Sequence, residues 1–90
     1  MDTTVPRDHK MQLNNNEMIL SEVKAGDDVV IRSFCGGVGM NRRLASLGFT
    51  PGARLRMVQN FMHGPLIVLV RGTRVALGRG EAARIIVNRG

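Results

Sequence analysis

Apart from the methionines, three side chains in this sequence have the chemistry to grip a soft metal ion: His9, Cys35 and His63. A structural zinc site wants four Cys or His ligands, commonly in paired short spacings, and no such pairs occur. A looser arrangement would set Cys35 and His63, with Met62, around a transition ion across the mouth of a small barrel. The simpler reading is a small buried or half-buried cysteine and a loop histidine. The residues therefore call for no cofactor, and neither iron nor zinc is demanded by them. A single cysteine also excludes an internal disulfide framework.

Acid–base chemistry fares no better. The carboxylates of the expected folded part are Glu22, Asp27, Asp28 and Glu81, with no histidine close in sequence. A general acid–base pair needs two groups in mutual reach with tuned pKa values. Asp27-Asp28 reads more simply as flanking or capping a first strand, and the chain is expected not to be an enzyme. Gly37-Val38-Gly39 hints at a phosphate cradle, but a dinucleotide fingerprint would need glycine at Arg42 and a parallel sheet behind it. No Gly-Lys-Ser/Thr triplet exists for a P-loop, and Gly72 to Gly80 fails the same test.

The charge is more informative. Lys and Arg number 13 and Asp and Glu 7, so the formal charge is 13 − 7 = +6. From Val29 onward there are ten arginines and a single acidic residue, Glu81. Such a surface suits nucleic acid, an anionic membrane or an acidic protein face. Only Phe34, Phe49 and Phe61 could stack on bases, and the first two have expected core roles. Arginine's planar fork also suits bidentate pairing with carboxylates. The longest apolar run, Leu66 to Val70, is too short to span a bilayer. No signal-peptide-like segment opens the chain, so a cytoplasmic location is expected.

The elements that would position these groups follow from patterning. Residues 1–17 read as a flexible polar tail broken by Pro6 and ending near three asparagines. The folded domain is expected over 18–90. Leu20 and Val23, three apart, can pin one turn, and Val29 to Phe34 is a β-branched run suited to a strand. Met40 to Leu47 is the one convincing helix, with Met40, Leu44 and Leu47 on one face. Gly48 can end it in the left-handed conformation, after which Phe49 folds back onto Leu44. Thr50-Pro51-Gly52 matches a type II turn. Ala53 to Gln59 alternates, with Leu55 and Met57 inward; Leu66 to Val70 is apolar on both faces, as a central strand would be. Arg74 to Leu77 and Arg84 to Asn88 follow, separated by one short helical turn within Gly78 to Ala83. The fold class is all-β: a small SH3-like barrel of about five strands with one short inserted helix.

The run Arg43-Leu44-Ala45-Ser46-Leu47-Gly48-Phe49-Thr50-Pro51-Gly52 resembles the core of the FeoA family. Gly64-Pro65, Val68-x-Val70-x-Gly72, Val75-Ala76-Leu77 and Ile85-x-Val87 follow in the family's order. The resemblance covers about Met18 to Asn88. It implies an SH3-like barrel acting as a non-catalytic accessory of ferrous iron uptake, its partner the cytoplasmic GTPase-containing part of a FeoB-type transporter. Similar domains end iron-dependent repressors. The alternative is thus a basic nucleic-acid-binding or transcription-regulatory barrel, although nucleic acid is the less favoured partner. Self-association through an unpaired edge strand is also open. The expected partner-binding residues are Arg42, Arg43, Phe61, Met62 and His63. Arg43 is expected to be partly structural beside the helix stop, and a hairpin tip at Asn60 to His63 would expose apolar surface of a kind enriched at interfaces.

Overall fold

A computed structural model describes residue 13 and residues 16–36, 38–61 and 63–89, with residues 38–41 described by their backbone only. The expected tail therefore lies largely outside the described residues. Strand β1, Glu17–Ile19, opens one residue ahead of the expected domain boundary. It runs into a 3-10 turn, Leu20–Glu22. Then come β2 (Asp28–Phe34), helix α1 (Val38–Ser46), β3 (Arg54–Gln59), β4 (Leu66–Val70), β5 (Thr73–Leu77), the single turn α2 (Arg79–Ala82) and β6 (Ile85–Arg89).

The six strands form one antiparallel sheet in the order β1-β6-β2-β3-β4-β5. The strand beyond the expected five is β1, whose three residues are too few to show alternation. It exists because Glu17, Met18 and Ile19 pair with Asn88, Val87 and Ile86. The sheet curls around one core, helped by register shifts between Ile31 and Ser33 in β2 and between Met57 and Gln59 in β3. Bulges of this kind bend a strand and sharpen its twist.

Alternation decides what the sheet encloses. Leu55 and Met57 of β3, with Leu66, Val68 and Val70 of β4, point inward and are buried, while Arg54 and Arg56 stay outside. Ile67 and Leu69, on the outer face of β4, are half-buried. Among the described residues no polar or charged side chain is buried. The barrel is therefore held by aliphatic packing, each fully buried Leu or Val contributing about 1.5–3 kcal/mol.

Helix α1 starts at Val38, two residues earlier than the sequence suggested. Its stop is as expected. Gly48 has φ +97°, Phe49 N–H donates to Leu44 C=O at 2.9 Å, and Gly48 N–H donates to Ala45 C=O at 3.0 Å. These two bonds make a Schellman ending, and it buries Leu44 and Phe49 together. Leu47, expected on the inward face, is 38% exposed, because the left-handed residue turns the chain away there. The Thr50–Ala53 turn closes with Ala53 N–H to Thr50 C=O at 2.9 Å and Gly52 at φ +92°.

Candidate partner-binding site

The connection between β3 and β4 is short, and it is tied down from below. Asn60 Nδ2 donates to the carbonyls of Ser21 at 3.0 Å and Val23 at 2.9 Å. Arg79, at the start of α2, donates through Nη1 to Asn60 Oδ1 at 3.1 Å and to Gly64 C=O at 3.3 Å. Its Nη2 donates to Ser21 C=O at 3.1 Å. One amide and one guanidinium thus join the 3-10 turn, the loop and α2. Gly64, at φ +73°, completes the reversal. Phe61, the residue after the pinned Asn60, is 70% exposed, and His63 is exposed as well. Met62 lies outside the described residues.

The two arginines of α1 part company. Arg42 is exposed and has no ion pair among the described residues. Arg43 Nη1 is ion-paired with Glu81 Oε2 of α2. Glu81 also accepts from Gly78 N–H through Oε1 at 3.3 Å, capping the first turn of α2. Arg43 therefore spends its charge joining two helices, and Glu81, the lone acid after Val29, is already taken.

Cys35 is exposed and follows the C-terminal end of β2, where its N–H donates to Arg84 C=O at 2.7 Å. His63 follows the C-terminal end of β3, the antiparallel neighbour of β2. Chain ends of antiparallel neighbours face opposite ways, so the topology sets these two residues at opposite ends of that pair. Among the described residues no group of three or more His, Cys, Asp or Glu side chains is brought together. Asp28 faces Arg56 instead of a second acid: Arg56 Nε and Nη2 donate to its two carboxylate oxygens at 2.8 and 3.1 Å. That bidentate hydrogen bonding holds the Asp28 carboxyl below its ordinary range, the nearby arginine charges adding to it against desolvation.

Sequence reasoning missed the Asn60–Arg79 pairing. The only signal was an Asn at a hairpin mouth, and Arg79 read as one more surface cation.

An antiparallel barrel of six short strands with one helix inserted after the second is an SH3-like barrel. The FeoA domain model matches residues 18–89. A Methanocaldococcus jannaschii protein named for Fe(2+) transport, as transport protein A, is 35% identical over 76% of this chain and 82% of its own. The crystal structure of an iron uptake regulatory protein, FeoA, superimposes with TM-score 0.79 at 35% identity, covering 82% of this chain and 99% of that one. FeoA of Stenotrophomonas maltophilia, solved with zinc and described as a procaryotic SH3 domain protein, gives TM-score 0.70 at 37% identity over 79% and 89%. A manganese-dependent transcriptional repressor, 24% identical, gives TM-score 0.77 over 88% of this chain and 45% of that one, a likeness of fold alone. The chain belongs to the FeoA family, a ferrous-iron-transport accessory family. No helix among the described residues is long and apolar enough to cross a membrane.

Proposed function

We propose that this protein is a non-catalytic, cytoplasmic accessory of ferrous iron uptake that binds the cytoplasmic GTPase-containing part of a FeoB-type transporter. The observation that carries the reading is Phe61, 70% exposed on a loop pinned by Asn60 and Arg79. An aromatic side chain left in water costs solubility and contributes nothing to this core. Held rigid, it loses little entropy on docking, which is what an interface anchor needs. In this reading Arg42 and His63 supply polar contacts to the partner, and Met62 follows Phe61 in the sequence. Arg43 acts at one remove, by fixing α1 against α2.

The test is direct binding of the full chain to the purified cytoplasmic domain of a FeoB-type transporter, beside Phe61→Ala and Arg42→Gln variants. Truncation of a central aromatic anchor typically costs 2 kcal/mol or more, about 30-fold in Kd. Binding with that loss and an unchanged melting temperature is the expected result. Absence of binding, or binding indifferent to Phe61, would overturn the reading. Tight, salt-steep binding to duplex DNA would instead favour the nucleic-acid alternative.

A further inference from the structure

The outer face of the sheet carries a second cationic surface with no part in the site above. Register places Asp28, Arg56, Leu69 and Arg74 in one row across β2, β3, β4 and β5. Val30 and Arg54 form the adjoining row, which leads to Arg71 in the β4–β5 turn. Between the rows lies an open concavity of about 290 Å³, lined by Asp28, Val30, Arg54, Arg56, Leu69 and Arg71. Asp28 is matched by Arg56. Among the described residues Arg54, Arg71 and Arg74 have no ion pair.

Arg71 adds an independent sign. It occupies φ +53° and Gly72 φ +79°, the pattern of a type I′ hairpin turn. Asn, Asp or Gly take the first of these positions at little cost, whereas a long side chain is strained there. The sequence nevertheless keeps an arginine whose side chain reaches back over Gly48. Backbone strain of this kind clusters at sites that bind a ligand.

We propose that this face binds an acidic segment of a protein partner. Arg54, Arg71 and Arg74 take its carboxylates, and Leu69 with Val30 takes an apolar side chain between them. Peptide is favoured over nucleic acid because none of the three phenylalanines lies in these rows. The floor is aliphatic, and the face already shows the bidentate arginine–carboxylate geometry at Arg56 and Asp28.

The experiment follows the backbone amides of the full chain by NMR during titration with the peptide acetyl-Glu-Val-Glu-Leu-Glu-Val-Glu-amide. Saturable shifts should gather at residues 28–30, 54–56 and 69–74 and spare 42–47 and 61–64. Arg54→Gln and Arg71→Asn should each weaken binding by about threefold, the scale of an exposed charge pair, while Arg42→Gln leaves it unchanged. Arg71→Asn suits the turn, so lost binding with an undiminished melting temperature separates recognition from folding. A peptide with Gln for every Glu should not bind. The idea is overturned by no saturation up to about 5 mM, weaker than any useful specific affinity, or by shifts spread over all arginines alike. Tighter binding of a dT oligonucleotide to the same residues would also overturn it. Because neither Phe61 nor Arg42 takes part, either outcome is independent of the transporter reading.

Discussion

Asn60→Ala is the substitution whose effect the structure fixes most closely. It removes two amide donations, to Ser21 and Val23 C=O, and one acceptance from the charged Arg79. A neutral hydrogen bond contributes about 1 kcal/mol net and one to a charged group about 1.5–3 kcal/mol. The site is part-buried, so water can reclaim some of what is lost, and the expected cost is about 2–3 kcal/mol. That is a large share of the 5–15 kcal/mol typical of a domain. At about 4–8 °C per kcal/mol for a chain of this size, the midpoint should fall by roughly 10–20 °C. Urea unfolding followed by circular dichroism gives the free energy, and thermal melts give the midpoint. Affinity for the transporter domain should fall too, although Asn60 is not proposed to touch it, because Phe61 would lose its support. Phe61→Ala should do the reverse, leaving stability within about 0.5 kcal/mol as an exposed substitution does. A loss below about 0.5 kcal/mol for Asn60→Ala would refute the claim that this amide anchors the loop.

Gly48→Ala should cost about 1–2 kcal/mol from the left-handed backbone alone, and slightly more than Gly52→Ala. A Cβ at Gly48 would lie 3.2 Å from Arg71 Cδ, whereas nothing lies within 4 Å of one at Gly52; paired melts with and without Arg71→Ala isolate the contact. Glu81→Ala should destabilise more than Arg43→Ala, since it loses both the ion pair and the cap on Gly78; the exposed pair alone is worth roughly 0.2–1 kcal/mol by chemical denaturation. The Asp28–Arg56 pair sets a pH dependence whose sign is determined. The folded carboxyl lies below its ordinary value, so the pair's stabilisation is present above that value and is lost as pH falls through the folded value. The melting difference between wild type and Asp28→Asn should therefore hold steady above about pH 5 and shrink in acid.

What the sequence disclosed is what depends on neighbours close along the chain. The Leu44–Gly48–Phe49 stop and the Thr50–Ala53 turn were readable because both are decided within six residues by one glycine at positive φ. Strands β3 and β4 were readable because alternation reports burial residue by residue. β1 was not, since its three residues form a strand only by pairing with β6, some seventy positions away. Helix α1 began earlier than its apolar spacing suggested because Val38 and Gly39 add backbone turns without adding to the periodic stripe. The site was legible in half. Phe61 stood out as an aromatic at a hairpin tip, but its anchoring did not, because Asn60 and Arg79 are nineteen positions apart and neither is apolar. Leu47 was placed inward by spacing alone, and the left-handed Gly48 that follows it decided otherwise.

The arginines show why composition could count a surface without locating it. Of the ten after Val29, Arg32, Arg43, Arg56 and Arg79 are engaged through their side chains among the described residues. Arg32 reaches over β6 to Glu17 at 3.4 Å, and the others hold Glu81, Asp28 and the Asn60 loop. Those four use their charge on the fold's own carboxylates and carbonyls. Because Glu81 is the one acid after Val29 and Asp28 stands at the head of β2, few internal carboxylates remain to neutralise Arg42, Arg54, Arg71 and Arg74. Uncompensated arginines must therefore face outward, and strand alternation sets three of them on or beside the outer face of one sheet while Arg42 stays on the helix. A partner that read net charge alone would respond equally to the loss of any of the ten. One that reads geometry would ignore charge at Arg32 and lose affinity at Arg42 or at Arg54. Neutralising each in turn, and correcting for melting temperature, distinguishes a basic surface from a patterned one.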